Sequence, residues 1–286
     1  MRPSERLTLV AVLVLSAVTA AVRPEGGALR LAVFLVIVTA TVLLARAPAG
    51  RGRARVAGFF RDWLPVGAVL AVFLLMQPII EAAVPWRLDA ALAALDERYL
   101  SGLVEAWRGT FGRPDAFTDA VYLVYVSYYL LPITVAALGW RRGPDPFERT
   151  AFALLLGFYL TFLGYLVMPA SGPRLPVQDE TGLLGGGALS DAVRTFLHGA
   201  ESTTLDAFPS GHTAIAVISG VLGTRLLGPS PRGRAAAAAL WAWAGTIVFA
   251  TVYIHVHYAV DVLVGLALAA FVLAVSPWPA PLPGGE

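Results

Sequence analysis

The chain has 286 residues, 57% of them hydrophobic and 14% charged, with a mean hydropathy of +0.71. That mixture excludes an ordinary soluble domain and makes a lipid bilayer the natural solvent. Cysteine is absent, which excludes disulfides and thiolate metal sites, and the net charge of +2 sets 21 Arg against 19 acids with no Lys at all.

Apolar runs near the roughly 20 residues needed to cross about 30 Å of hydrocarbon recur along the chain. They lie at 7–22, 30–45, 64–84, 117–139, 150–168, 210–227, 235–254 and 257–275. The pattern predicts an all-α, polytopic transmembrane helix bundle of about eight spans. The first run begins after Arg2 and Arg6 and ends in SAVTAAV; a retained helix is the reading, and a cleaved signal peptide is the alternative.

RAPAGRGRAR follows the second run as a linker. Its Arg51 to Arg55 cluster lacks interleaved aromatics and sits between two spans, so it reads as a topology anchor rather than a nucleic-acid site. With Arg2, Arg6, Arg46, Arg61, Arg141, Arg142, Arg149, Arg225, Arg232 and Arg234 it falls on one side of the eight-span arrangement. The positive-inside rule makes that side, and both termini, cytoplasmic, in a multi-pass protein of the cell membrane.

In the third run Gln77 and Glu81 stand four apart; they either bond to each other or to the shell of a site, or line a transport pathway. After it, Leu88, Leu92, Leu95, Tyr99 and Leu103 recur at helical spacing, with Asp89, Asp96, Glu97 and Arg98 on other faces. This reads as a helix lying in the outer interface. Tyr122, Tyr125 and Tyr129 share one face of the fourth span and read as packing or interface anchors. The loop from Met168 to Phe208 holds Pro-rich turns, LLGGG and a short helix near Ser190 to Leu197, long enough to form a cap. The tail SPWPAPLPGGE reads as disordered.

Three clusters carry chemistry, and all meet the same aqueous boundary: MPASGPRLP (168–176), AFPSGH (207–212) and TVYIHVHYAVD (251–261). His257 and Asp261 are four apart, so on a helix the carboxylate can hold one imidazole nitrogen and leave the other free as a base or nucleophile. A mutually satisfied pair within a bundle is the bland alternative. In AFPSGH, Pro209 starts a helix, Ser210 offers a hydroxyl, and Gly211 lets backbone N–H groups approach an anion at the positive helix end. His212, on the first turn, can donate a proton to a departing oxygen. Arg174, in a stiff Pro-flanked turn, can fork across two phosphate oxygens. A zinc site from His212, His255, His257 and Asp261 is the metal alternative.

PSGH followed by HYAVD resembles the second and third signature motifs of the type 2 phosphatidic acid phosphatase superfamily, membrane enzymes that break and remake lipid phosphoester bonds. The resemblance covers roughly residues 64 to 275 and implies a six-helix catalytic core there. Residues 1–63 would then add two helices and a basic cytoplasmic loop, and 276–286 a tail. It implies His257 as the attacking group forming a phosphohistidine, Asp261 orienting it, and His212 protonating the leaving oxygen. Ser210, the Gly211 amide and Arg174 would hold the phosphoryl oxygens, with no metal and no cofactor.

Two cations of the superfamily pattern are missing: Val167 stands where its first motif has Lys, and Thr251 where its third has Arg. A phosphodiester brings one negative charge where a monoester brings up to two, so the loss favours diesters. The remaining pattern is similar to the inositol phosphorylceramide synthase branch and, more loosely, to sphingomyelin synthases. The implied function is a lipid phosphotransferase moving a phospho-headgroup from a glycerophospholipid to a lipid alcohol at the extracytoplasmic face. The alternative is a phosphatase acting on phosphatidate or a polyprenyl pyrophosphate; a transporter is the remaining reading.

Overall fold

In the structure, a computed structural model, residues 1–46, 53–100, 110, 114–173, 185–200 and 204–276 are described. The helices are α1 (Pro3–Val22), α2 (Gly27–Ala45), α3 (Arg53–Leu75), α4 (Gln77–Ala83), α5 (Asp89–Tyr99) and α6 (Asp115–Val126). A 3-10 turn (Ser127–Tyr129) joins α6 to α7 (Leu130–Arg142), and α8 (Pro144–Val167), α9 (Ala188–Ala200), α10 (Gly211–Leu227), α11 (Pro231–Tyr253) and α12 (Ala259–Val275) follow. No strand occurs among the described residues. The protein is an all-α, multi-pass membrane helix bundle.

Among the described residues, six helical stretches are long and apolar enough to cross a membrane, while α10 and α12 are apolar but have 17 residues each. At 1.5 Å per residue those two reach about 25 Å, the short end of what spans a bilayer. The third apolar run divides differently from its sequence reading. Its helix starts at Arg53, ends at Leu75, and resumes as α4 after Met76. Pro78, at the start of α4, has no N–H to continue the ladder.

Without a hydrophobic drive between helices in lipid, close approach of backbones supplies the packing. α8 is the most buried of the long spans. A Cβ on its Gly157 would lie 2.8 Å from Ile218 and 2.9 Å from Ile215, so α10 sits directly on it. Gly220 of α10 faces the ring of Trp241 on α11, and Gly265 of α12 faces Ser210 and Thr213 at the start of α10. α10 is therefore wedged among α8, α11 and α12.

One end of the bundle is tied by polar bonds. The Ser4 amide and hydroxyl both donate to Glu148, Arg61 pairs with Glu5 at 2.6 Å, and Asp62 accepts from Arg2 and Trp140. These fasten α1 to α3, α7 and α8. The start of α10, the end of α11 and the start of α12 lie at the opposite end.

Gln77 and Glu81 take the first of the roles open to them: the Gln77 amide donates to Glu81 at 2.7 Å and accepts from the Thr204 amide at 2.7 Å. They tie α4 to the chain leading into AFPSGH.

Candidate active site

α10 starts at Gly211 because Ser210 caps it. The Ser210 hydroxyl accepts from the Thr213 amide at 3.2 Å and bonds the Thr213 hydroxyl at 3.0 Å, fully buried. The hydroxyl read as a phosphate donor is thus committed to the cap. Gly211 has no room for a side chain, since a Cβ would lie 2.5 Å from the Tyr165 hydroxyl of α8. Pro209 packs on Gly164, the residue before Tyr165, at 2.2 Å from where a Cβ would stand.

α11 ends in a turn that aims the second imidazole. The Val256 amide donates to Thr251 O at 3.0 Å and the His255 amide to Val252 O at 3.2 Å, the paired bonds of a Schellman termination. The left-handed position that favours Gly is occupied by His255, φ 59°. The chain then turns back into the bundle with His257 2% exposed.

His257 and Asp261 do not share a helix, contrary to the spacing argument. His257 lies in the turn and Asp261 in the first turn of α12. The pair nevertheless forms, His257 Nδ1 standing 3.5 Å from Asp261 Oδ2, while the other carboxylate oxygen and Nδ1 itself have no hydrogen-bond partner. That separation exceeds a good N–H···O bond, as catalytic bonds often do before substrate tightens them. Asp261 Oδ2 also accepts from the Tyr258 amide at 2.9 Å.

The two imidazoles meet. His212 Nδ1 lies 3.1 Å from His257 Nε2, with ring centroids 5.3 Å apart and planes at 66°. The rings are in direct contact, with no space for an anion between them. His212 stacks on Tyr125 (centroids 4.9 Å, 26°) and leans on Tyr128 at 4.2 Å. Both tyrosines are buried. Tyr125 reads in sequence as a packing or interface anchor; Tyr128, three positions on, is not singled out there.

Arg174 lies outside the described residues, as do Leu103, Asp179, Glu180, Glu201, the core of the Arg-rich linker and the tail from Pro277 onward. The turn before Arg174 is described. Gly172 has φ +79°, and a Cβ on it would lie 2.2 Å from the Val256 carbonyl, so the first cluster touches the third. The Ala207 amide donates to Ala170 O at 3.0 Å and the Ser210 amide to Asp261 O at 3.3 Å, joining all three. Thr251, where the superfamily pattern has Arg, is fully buried with its hydroxyl on Val248 O, leaving no solvent-facing place for a guanidinium.

Two further acids belong here, which the sequence reading sets only on the other faces of the interfacial helix. Asp89 accepts from the Ser171 and Gly172 amides, and Asp96 from the Ala259 and Val260 amides. Burial, then Asp89, Asp261 and Asp96, push the Tyr258 phenol up to about 12, so it stays neutral. On the other flank, Asp119 accepts from the Gly187 and Ser190 amides to seat α9, whose Arg194 pairs with Asp191 and lies 5.3 Å over the Tyr122 ring. α9 exceeds the short helix read at Ser190 to Leu197. No cluster of three metal-ligating side chains occurs among the described residues.

No curated protein and no solved structure matches the chain. The model of the PAP2 superfamily matches residues 90–275, about two thirds of the length and all three clusters. Motif order, the joined clusters and this match agree: the chain belongs to the PAP2 superfamily, and is a membrane enzyme of the lipid phosphatase and phosphotransferase type.

Proposed function

We propose that the chain is a lipid phosphotransferase: it moves a phospho-headgroup from a glycerophospholipid to a lipid alcohol through a phosphohistidine at His257. The observation that carries this reading is the 3.1 Å contact between His212 Nδ1 and His257 Nε2, with Asp261 behind the other nitrogen of His257. A carboxylate behind Nδ1 keeps the proton there and leaves Nε2 with its lone pair. His212, donating to that lone pair at rest, is in place to serve as the acid.

In the first half-reaction Nε2 attacks phosphorus as the bond to the diacylglycerol oxygen breaks, and that oxygen takes a proton from His212 in its imidazolium form, leaving a neutral imidazole. In the second, the acceptor hydroxyl gives its proton to His212 and attacks phosphorus, releasing Nε2. Arg174 and the amides at the start of α10, Gly211 among them, hold the phosphoryl oxygens, and Ser210 fixes that helix start. Residues 64–275 form the catalytic unit, and α1 and α2 brace it.

Three features favour transfer of a diester headgroup. The cations that would compensate a second phosphate charge are replaced by Val167 and Thr251. His257 is nearly inaccessible to water, which favours a lipid alcohol over hydrolysis. The pattern of the three clusters is similar to the inositol phosphorylceramide and sphingomyelin synthase branch. Arg141, Arg142, Arg149, Arg225, Arg232 and Arg234 stand at helix ends opposite the imidazole pair, a distribution that supports an extracytoplasmic site by the positive-inside rule.

The test is a product assay on purified protein in mixed micelles. It uses labelled phosphatidylcholine, phosphatidylethanolamine, phosphatidylglycerol, phosphatidylinositol and phosphatidate, with diacylglycerol and ceramide as acceptors. New headgroup-bearing lipid without soluble phosphate is the expected result, abolished with phosphoenzyme formation in His257→Ala. Free phosphate from phosphatidate as the sole product refutes transfer, and a fully active His257→Ala refutes the nucleophile.

A further inference from the structure

α5 begins with Asp89 and carries Asp96 two turns later, so the two carboxylates face the same way. Asp89 takes the Ser171 amide at 3.0 and 3.1 Å and the Gly172 amide at 3.0 Å. Asp96 takes the Ala259 amide at 2.7 Å and the Val260 amide at 2.9 Å. Each carboxylate therefore closes on two consecutive backbone N–H groups. Between them Leu92, 4% exposed, packs with Ala170 and Ala207, and the Leu88 amide donates to Pro169 O at 2.9 Å. One short helix grips the first and third clusters and packs on the chain entering the second.

The held segments are the ones that present chemistry. Ser171 and Gly172 immediately precede Pro173 and Arg174. Ala259 and Val260 lie between His257 and Asp261, and their amides are orphan donors at the start of α12, where Tyr258 supplies no side-chain cap. A cap from another helix fixes α12 in space as well as satisfying it. The outward side of α5 is amphipathic: Leu95 is 42% and Tyr99 67% exposed beside exposed Glu97 and Arg98, and Trp86 just before the helix is 55% exposed. These are side chains suited to the boundary between headgroups and hydrocarbon.

We infer that α5 is the element that sets the catalytic geometry, with Asp89 and Asp96 as positioning residues acting on different halves of the site. This rests on the reading of His257 and His212 as the reacting pair. Asp96 holds the Asp261 turn and hence the direction of His257 Nε2; Asp89 holds the Ser171–Gly172 turn, which lies against the Val256 carbonyl just before His257 and precedes Arg174 in the chain. Neither carboxylate touches substrate. Each carries negative charge beside an anion site, which simple electrostatics disfavours; its use is that it accepts two N–H groups at once.

The distinguishing test is the split between kcat and KM in the micelle assay. Asp96→Asn keeps shape, loses one acceptor and removes a negative charge. A group with only electrostatic influence would lower KM when neutralised and leave kcat alone. Positioning predicts the reverse: kcat falls about ten- to a hundredfold, the scale of an ångström-level misplacement, with KM within threefold. Asp89→Asn is expected to act chiefly on KM, raising it about tenfold.

Tm separates these effects from general loosening. Leu222→Ala, in the bundle core away from the clamp, is expected to lower Tm more than either Asn variant while keeping kcat within threefold. Either Asn variant within twofold of wild type in both parameters overturns its half of the inference. Loss of kcat in Leu222→Ala equal to that in Asp96→Asn overturns positioning in favour of stability. His257→Ala runs alongside: if it retains turnover, the underlying reading fails and the inference with it, whereas a dead His257→Ala beside a fully active Asp96→Asn sinks the inference alone.

Discussion

Gly172→Ala tests whether contact between the first and third clusters governs turnover. Gly172 has φ +79°, where a residue with a Cβ pays about 1–2 kcal/mol. The added Cβ would also stand 2.2 Å from Val256 O and 3.1 Å from the Ala207 Cβ. Ordinary contact begins near about 3.5 Å, so the turn and the Val256 carbonyl must separate by roughly 1 Å. Val256 is the residue before His257, and a shift of that size at a reacting group costs on the order of a hundredfold in rate. Gly228→Ala isolates the strain: its φ is +76°, but nothing lies within 4 Å of its Cβ position. Gly228 has ψ 179°, a region nearly confined to Gly, so both variants should lose at least about 1–3 kcal/mol of stability, read as a fall in Tm in micelles, and only Gly172→Ala should lose the hundredfold in kcat. A Gly172→Ala enzyme within threefold of wild-type kcat, or a Gly228→Ala enzyme as slow as Gly172→Ala, refutes the reasoning.

His212→Ala should slow poor leaving groups more than good ones, by about 10²- to 10⁴-fold for an alkoxide, when aryl and alkyl phosphodiesters are compared; equal slowing across the series refutes the general-acid role. His255 occupies a left-handed turn position, so His255→Gly should keep kcat within threefold while β-branched His255→Val, strained there, should lower Tm and kcat together. A tenfold loss of kcat in His255→Gly would show a chemical role beyond the turn.

The all-helical membrane fold was legible because long apolar runs admit few other solutions in lipid. Motif order singled out His212, His257 and Asp261, which the structure brings together, on the ground that ionisable groups are costly near a bilayer. Other features were hidden because they depend on three-dimensional approach. Counting along an apolar run does not reveal that Pro78 restarts a helix after Met76. Spacing of four suggested that His257 and Asp261 share a helix, whereas the backbone reverses at His255 and the pair closes across a helix start. Asp89 and Asp96 show in sequence only as polar residues on the other faces of an amphipathic helix; their partners are backbone amides 82 and 163 positions away. Tyr128, three residues after Tyr125 and so on the same side of the helix, meets His212 from the 3-10 turn; periodicity groups the two tyrosines but does not say which residue they face.

The contact between the imidazoles bears on how such a site would separate transfer from hydrolysis. In-line displacement places phosphorus between attacking and leaving atoms, so the 3.1 Å bond from His212 to His257 must break before chemistry begins. Its net worth is about 0.5–1.5 kcal/mol, small beside the gain when an anionic phosphoryl group meets His212, Arg174 and the amides at the start of α10. Water offers no such compensation. With Nε2 engaged by His212, and His212 braced by Tyr125 and Tyr128, the proposed nucleophile would be uncovered only by a ligand that carries its own charge between the rings. The same logic applies to the phosphohistidine: with diacylglycerol departed, the next group to reach phosphorus arrives through the lipid-facing end beside α5 or through water. The exposed Trp86, Leu95 and Tyr99 favour the lipid. On this reading the choice of acceptor is made by the surface around α5 rather than by the histidines, which would serve an alcohol or water equally well.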